Sequence, residues 1–225
     1  MPWFSASHWL GLAAIALVCA LTFGIGRRFS NRGPWLNRLL VVNLVVYIVI
    51  AYAVRWQDLS WATCLPLHLC DFILLAGIYL LLGRGQSAAR QVSYDCLTLW
   101  SWSGSIWALI TPDLPVDFPH YRYFEFFWGH GLIFVVMAHL HGWHRLSLNA
   151  SSWKRAAWAL QVWLLAVGAL DYAFGWNYGY LLYKPPGGSP LDYFGPWPIY
   201  VLVADAISVL IFWSICAIFC RQKRT

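Results

Sequence analysis

The sequence has few charged residues: Asp, Glu, Lys and Arg make up 11% of its 225 positions, whereas 60% are hydrophobic. Soluble globular domains carry about 25% charged residues, which they use to cover a surface that faces water. The scarcity of charge excludes an ordinary soluble domain. It predicts a protein whose surface faces lipid.

Acidic residues are scarcer still, with nine against 15 basic residues and a formal net charge of +6. The basic residues do not form a run of the kind that binds nucleic acid, and no nucleic-acid partner is predicted. They concentrate in alternate connections, which the positive-inside rule assigns to the cytoplasm. The N-terminus is therefore predicted outside and the C-terminus inside. The first, third and fifth connections and the C-terminal tail hold Arg27, Arg28, Arg32, Arg38, Arg84, Arg90, Arg145, Lys154, Arg155, Arg221, Lys223 and Arg224.

Zinc-type cysteine spacing is absent from the sequence. The six cysteines lie mostly within or at the ends of apolar segments, where a thiol behaves as a small hydrophobic group. Neither a disulfide framework nor a metal site is predicted, and no cofactor is predicted. The cysteines are Cys19, Cys64, Cys70, Cys96, Cys216 and Cys220.

Long apolar runs, in contrast, occupy most of the chain. Seven windows have the length of about 20 residues that crosses a hydrocarbon core as a helix, and they leave no room for a separate soluble domain. We predict an all-α, multi-pass protein of the cytoplasmic (inner) cell membrane, with one seven-transmembrane-helix domain over residues 1–225. The windows are 8–26, 36–54, 62–82, 92–111, 123–142, 156–175 and 197–219.

Ionisable residues inside these windows carry the functional signal. Each costs about 2.5–3.5 kcal/mol on insertion scales, so such residues usually face a bundle interior or a wet cavity. The stretch LPLHLCD, residues 65–71, supplies His68 and Asp71, and His130 lies at matching depth on another helix. We predict that they converge in one outward-facing pocket; the alternative is a set of hydrogen bonds that only hold helices together. Carboxylates in other outer halves are Glu125, Asp171 and Asp205.

The spacing of His68 and Asp71 indicates a catalytic pair, because residues three apart share one face of a regular helix. Asp71 would then fix the tautomer of a His68 general base. Pro66 complicates this interpretation, since proline disrupts a helix. The predicted catalytic residues are His68, His130 and Asp71. The predicted substrate-binding residues are Glu125, Asp171, Asn177, Asp205 and Cys70.

The long connection before the last window, WNYGYLLYKPPGGSPLDYFGPWP, is rich in Pro, Gly and aromatic residues. Loops of this length in compact folds are often lids or binding loops. We predict that this segment folds onto the outer membrane surface, where aromatic rings are favoured, and covers the pocket.

A second histidine cluster, HLHGWH, holds His139, His141 and His144 at the inner end of the fifth window. The spacing of His141 and His144 permits a metal, but no Cys, Asp or Glu in the neighbouring connections completes a ligand set. A partly solvated interfacial cluster is the preferred interpretation.

Three blocks of the sequence resemble those of a known family. They are LPLHLCD (65–71), LITPDLPVDFPHYRYFEFFWGHG (109–131) and NYGYLLYKPPGGSPLDYFGPWPIY (177–200). Their order and spacing are similar to those of the YwaF-type bacterial integral membrane proteins, which are distantly similar to transmembrane protein 164 of animals. The resemblance implies an enzyme that moves fatty acyl chains on ether phospholipids through an intramembrane Cys and His, with His68 and His130 as the histidines.

The nucleophile is not carried over by this resemblance. The animal motif Pro-Cys-His would place its cysteine on Leu67 of this sequence. Cys64, Cys70 or a hydroxyl such as that of Thr111 would have to supply the attacking group, and water is a further option.

Three hypotheses for function follow. The first is a lipid acyltransferase or hydrolase in which His68 or His130 acts as general base. The second is a binding protein or proton-coupled transporter that uses the same acids and histidines. The third is a structural membrane protein. Membrane lipids are the predicted partners, and nothing in the sequence specifies the substrate or an oligomeric state.

Overall fold

The computed structural model describes residues 1–29, 33–54, 56, 59–143 and 146–221. Within these ranges the regular structure is entirely helical. The α-helices are α1 Ala6–Arg28, α2 Gly33–Val54, α3 Trp61–Cys64, α4 Leu69–Leu82, α5 Ala88–Trp100, α6 Ile106–Ile110, α7 Tyr121–Trp143, α8 Ser152–Phe174 and α9 Ile199–Arg221.

Five helices among the described residues are long and apolar enough to cross a membrane: α1, α2, α7, α8 and α9. Their outward faces are strongly apolar. On α8, for example, the exposed fractions of Trp158, Leu165 and Tyr172 are 72%, 76% and 77%. Exposure of such large apolar surfaces to water would be unfavourable. The chain is therefore a multi-pass membrane protein.

The predicted window 92–111 falls on a helical rod that is not uniform. Helix α5 continues through a π-helical turn, Ser101–Ser105, directly into α6. The backbone of Ser101, Ser105 and Ile106 stays in the right-handed helical region, so the rod is not broken. A π-turn inserts an extra residue into the helix and is frequent near functional sites.

The predicted window 62–82 differs more from a regular helix. Helix α3 ends at Cys64, and Leu65, which precedes Pro66, is extended with ψ near 142°. This is the conformation that proline imposes on the residue before it. The backbone of His68 is also extended, so α4 begins only at Leu69 and runs for 14 residues.

Helix α7 lies at the centre of the bundle. Of its apolar window 72% is buried, against 11–22% for the other four long helices. Helix α1 packs closely on it through glycines: a Cβ on Gly11 would lie 2.6 Å from the Phe127 ring, and one on Gly131 would lie 2.9 Å from Ile15.

The two ends of the bundle differ in charge. The acidic end, where α1, α4, α7 and α9 begin, carries Asp71, Asp113, Asp117, Glu125, Asp171 and Asp192, beside Arg122 and Lys184. The basic end, where these helices finish, carries Arg27, Arg28, Arg38, Arg84, Arg90, Lys154 and Arg155. Asp95 also lies at the basic end, and its carboxylate is ion-paired with Arg155 at 2.6 Å.

Candidate functional site

The break at Pro66 places His68 at the N-cap of α4, at the acidic end. The backbone N–H of His68 donates to Asp71 Oδ2 at 3.1 Å. This is the reciprocal arrangement of a capping box, in which the residue at N3 satisfies the cap's own N–H. The spacing of His68 and Asp71 therefore brings the two residues together, but at a helix start and not on a shared helical face.

The imidazole of His68 is oriented by the segment that follows α8. The backbone N–H of Gly179 donates to His68 Nδ1 at 3.1 Å. A nitrogen that accepts an N–H bond carries no proton, so the neutral ring holds its hydrogen on Nε2. His68 thus presents a donor, Nε2–H, to whatever lies beyond that edge of the ring.

The turn that contributes Gly179 is itself anchored by Asp171. Buried at the end of α8, Asp171 accepts the backbone N–H of Tyr178 on Oδ1 at 3.1 Å. The Tyr178 hydroxyl donates to Trp61 O at 2.8 Å and accepts the N–H of Leu65 at 3.0 Å. Consecutive amides of one turn therefore bind Asp171 and His68, and the turn is tied to the break between α3 and α4.

Asn177 organises the loop beyond this turn. Its Oδ1 accepts the backbone N–H groups of Leu182 and Tyr183 at 3.0 and 2.9 Å, and its Nδ2 donates to Tyr183 O. Asp171 and Asn177, both predicted to bind substrate, thus use these oxygens to fold the loop's own backbone.

Tyr180 brings a further carboxylate to the site. Its hydroxyl donates to Asp113 Oδ2 at 3.3 Å, and its ring centroid lies 6.4 Å from that of His68. Burial, followed by the nearby Asp113 carboxylate, raises the pKa of Tyr180 to about 12. The hydroxyl therefore stays protonated as a hydrogen-bond donor at physiological pH.

Cys70 lies close to this group. Its Sγ is 3.4 Å from the Oγ of Ser105, which is fully buried at the end of the π-turn. Cys70 is the second residue of α4, two positions after His68. We call His68, Cys70, Ser105, Asp113 and Tyr180 the outer cluster.

His130 lies in a cleft beside the outer cluster. The Nδ1–H of His130 donates to the carbonyl of Phe126 at 3.0 Å, so the neutral ring has its lone pair on Nε2. The cleft has a volume of about 350 Å³. Its lining comprises Tyr47, Leu59, Thr63, Asp113, Leu114, Pro115, Arg122, Glu125, Phe126 and His130.

Asp113 joins the two halves of the site, because it lines the cleft of His130 and accepts from Tyr180 in the outer cluster. Glu125, which is buried, lines the same cleft. His130 and Glu125 therefore line one cavity, whereas His68, Asp71 and Cys70 are not among the residues that line it. His68 is linked to this cavity through its ring contact with Tyr180 and the bond from Tyr180 to Asp113. The structure does not place Asp205 in either group: its Oδ1 accepts from Gln161 at 2.8 Å, a bond between α9 and α8.

The second histidine cluster lies at the basic end, and its described members bond to residues of different helices. His139 Nε2 donates to the side-chain oxygen of Asn37 at 2.6 Å, and His141 lies 3.0 Å from the Tyr94 hydroxyl. His144 is outside the described residues. Among those that are described, no group of three His, Cys, Asp or Glu side chains could hold a metal ion.

Three residues of the outer cluster are absent from the sequence predictions: Ser105, Asp113 and Tyr180. Asp113 lies in a connection between helices, where an acid is unremarkable. Ser105 looks like one of several small residues suited to helix packing. Tyr180 is one of 12 tyrosines. The resemblance described above gives the only signal for Asp113 and Tyr180, because both lie in its sequence blocks. Ser105 lies outside these blocks.

Comparison with known proteins gives a family and no closer relative. The model of the TMEM164 family matches residues 3–216, which is nearly the whole chain. No curated protein and no solved structure matches.

Proposed function

Because the chain belongs to the TMEM164 family, we propose that this multi-pass membrane protein is an acyltransferase or hydrolase that acts on an ester of a membrane lipid at the acidic end. The reaction class is the one implied by the resemblance to transmembrane protein 164. We further propose that the chain falls among the YwaF-type bacterial members of the family.

The complementary tautomers of the two histidines carry this proposal. His130 offers an Nε2 lone pair because its Nδ1–H is used by Phe126 O. His68 offers Nε2–H because its Nδ1 accepts from Gly179. Acyl transfer needs a base that takes the proton of the attacking group and returns it to the departing oxygen, and a hydrogen-bond donor that stabilises the oxyanion formed between these steps. In this proposal His130 is the base, and the Nε2–H of His68 is the oxyanion donor, which keeps its own proton.

Two thiols are candidates for the nucleophile. Cys70 is the first, because its thiol contacts the buried Ser105 hydroxyl and it follows His68 by two residues. Cys64 is the second, because it ends α3 and the next residue, Leu65, donates its N–H to the Tyr178 hydroxyl. Thr111 is less well placed, since its hydroxyl already donates to Trp107 O. With neither thiol, water activated by His130 would give hydrolysis.

The remaining predicted residues hold the site together. The carboxylate of Asp71 accepts the backbone N–H of His68 at the start of α4. Asp171 and Asn177 hold the turn whose Gly179 orients the His68 ring. Glu125 and Arg122 line the cleft in which the polar part of a lipid would bind. In this proposal the loop after α8 is the lid of the site, and the bond from Tyr180 to Asp113 ties it to the connection before α7.

Transport receives less support. A proton relay would have to continue from the acidic end towards the basic end, and Asp95 is the strongest candidate there. Its carboxylate accepts from Arg155 at 2.6 Å and from Gln91 at 2.9 Å. Both oxygens of this carboxylate are therefore used in contacts within the bundle, one of which joins α5 to α8.

We also propose seven membrane crossings in the cytoplasmic membrane, with the N-terminus outside. The five long apolar helices would be joined by the α5–α6 rod and by the α3–α4 segment. The charge difference between the two ends supports this orientation, since cationic connections stay in the cytoplasm.

Asparagine substitutions test the roles of the histidines without removing their structural hydrogen bonds. In His68→Asn the amide oxygen can still accept from Gly179, and in His130→Asn the amide N–H can still donate to Phe126 O. Each variant loses the Nε2 atom. His120→Asn is the matched control, because exposed His120 also accepts a backbone N–H on Nδ1, from Arg122.

Lipids of cells that overproduce each variant are then compared by mass spectrometry. We expect the wild type and His120→Asn to change the acyl composition of membrane lipids. His68→Asn and His130→Asn should each lose about 10²-fold or more of that rate, the usual contribution of an oxyanion donor or of a general base. Cys70→Ser and Cys64→Ser then identify the nucleophile. Wild-type cells with an unaltered lipid profile, or active His68→Asn and His130→Asn variants, would reject the proposal.

A further inference from the structure

A second cleft lies at the basic end, on the opposite side of the bundle from the outer cluster. It has a volume of about 330 Å³ and lies between the start of α2 and the end of α4. Its lining includes Asn37, Arg38, Leu82, Gly83, Arg84 and Arg90. Three arginines therefore face one small cavity.

The carbonyl groups at the end of α4, which form the floor of this cleft, are neutralised by hydrogen-bond donors. The last carbonyls of a helix repel anions, because they carry the negative end of the helix dipole. Here Arg90 donates to the carbonyls of Tyr79, Leu80 and Gly85 at 3.3, 2.9 and 3.0 Å. Asn37 Nδ2 covers the carbonyl of Leu81 at 2.8 Å.

Arg90 is built into this floor. It is 3% exposed, and a Cβ on Gly83 would lie only 1.9 Å from its Nη1, so glycine leaves the space that the guanidinium fills. The charge of Arg90 therefore offsets the C-terminal end of α4 and leaves the other two arginines of the cleft uncompensated.

Those two arginines, Arg38 and Arg84, belong to different parts of the lining, α2 and the segment after α4. Both are exposed. Within the described residues neither has an ion-pair partner. Two guanidinium groups that line one small cavity suit a phosphate, because a guanidinium can bind phosphate with paired hydrogen bonds.

The surroundings of the cleft fit a phosphate that carries acyl chains. Leu82, which lines the cleft, is 65% exposed, and Leu75 further along α4 is 46% exposed. On α2, Val42 and Val49 are 59% and 60% exposed. Exposed apolar side chains therefore follow the arginines along the outer faces of both helices, towards the midpoints of the helices. Basic pockets of this kind at a membrane surface bind anionic headgroups.

We propose that this cleft binds the phosphate headgroup of an anionic phospholipid, with the acyl chains lying along α2 and α4. The site is separate from the outer cluster and does not depend on the proposed reaction.

The test uses the purified full-length chain and two lipids with identical acyl chains, phosphatidylglycerol and phosphatidylcholine. Lipid binding is followed by native mass spectrometry in detergent. We expect phosphatidylglycerol to bind at least about tenfold more tightly, since both arginines attract its net negative headgroup. The Arg38→Gln/Arg84→Gln variant should lose most of this preference.

Two controls separate the cleft from the general charge of this end. Arg27→Gln/Arg28→Gln removes the same charge from exposed residues that lie against the rings of Phe23 and Phe29, and it should keep the preference within about twofold. Arg38→Lys/Arg84→Lys retains two cations and should keep part of it. Equal losses in the two glutamine variants would overturn the proposal.

Inorganic phosphate distinguishes a lipid from a small anion. Free phosphate at millimolar concentration should neither displace phosphatidylglycerol nor raise the melting temperature. If phosphate alone protects the wild type and competes with the lipid, the cleft is a small-anion site and the lipid proposal fails.

Discussion

At the scale of single residues, the outer cluster depends on one glycine. Gly179 has φ near +65°, and a Cβ there would lie 2.4 Å from the Trp163 ring. Its N–H also orients His68. Gly175 has a similar φ of +69° but nothing within 4 Å of its Cβ position. An alanine at Gly175 would therefore show the cost of the backbone conformation without any steric overlap.

We predict that Gly179→Ala lowers the free energy of unfolding by about 2–4 kcal/mol, the sum of backbone strain and overpacking. Gly175→Ala should cost only about 1 kcal/mol. Denaturant unfolding of both variants in detergent measures the difference. Equal losses would show that the Trp163 contact does not constrain the turn.

The pH response of Tyr180 gives a second prediction. Its pKa of about 12 lies above the ordinary value of 10.0, chiefly because of burial and then because of Asp113. Between pH 10 and 12 the unfolded chain has lost this proton while the folded chain keeps it. The stabilising contribution is therefore complete below pH 10 and is lost as the pH rises towards 12.

The check is the fall in unfolding free energy over that pH range, which should be smaller in Tyr180→Phe than in the wild type. Asp113→Asn should lower the pKa of Tyr180 towards its ordinary value, as seen in the ultraviolet absorbance of the phenolate. Tyr183→Phe, at a tyrosine that is 66% exposed, is the control. An Asp113→Asn variant in which the pKa of Tyr180 is unchanged would contradict the proposed contact.

Part of the site could be predicted at this scale. An imidazole or carboxylate inside an apolar window is costly, and this cost marks His68, His130 and Glu125 directly. Ser105 and Tyr180 carry no such cost, because hydroxyls are common in helices and loops. Their proximity to Cys70 and Asp113 depends on tertiary packing, which sequence spacing does not contain.

At the scale of helices, the contact between α5 and α8 depends on the Asp95–Arg155 ion pair. Asp95 is fully buried, whereas 30% of the Arg155 side chain is exposed. Removal of the arginine leaves a buried carboxylate with Gln91 as its remaining described donor, and such losses cost about 3–5 kcal/mol.

We therefore predict that Arg155→Met lowers the free energy of unfolding by about 3 kcal/mol. Lys154→Met, at the exposed neighbouring cation, should change it by less than about 0.5 kcal/mol. Adding Asp95→Asn to Arg155→Met should recover most of the loss, because the isolated charge is removed. A double variant no more stable than Arg155→Met would argue against an electrostatic cause.

Helices are predictable where apolar length alone decides them. The windows 8–26 and 36–54 fall within α1 and α2. The window 62–82 does not give a helix throughout, because Pro66 drives Leu65 into an extended conformation and the chain resumes its helix only after His68. The π-turn at Ser101–Ser105 has no counterpart in hydropathy, which is insensitive to a change of one residue per turn.

At the scale of the whole molecule, the two ends of the bundle should lie on opposite sides of the membrane. Lys184 lies in the loop over the acidic end, and Arg84 follows α4 at the basic end. We predict that Lys184→Cys reacts with a membrane-impermeant maleimide in intact cells. Arg84→Cys should react only after the membrane is permeabilised. The wild type, which has six cysteines, gives the background, and labelling of both variants in intact cells would contradict the orientation.

Helix α4 has a consequence for the bilayer around it. Its 14 residues span only about 21 Å, whereas a hydrocarbon core is about 30 Å thick. Lipids beside a short apolar helix respond by local thinning, which costs a fraction of a kcal/mol per Å. If the basic end of α4 stays at its interface, the dent forms at the other leaflet, directly over His68. Ester groups of neighbouring lipids would then sink to the depth of the imidazole, where the reaction proposed above would meet them.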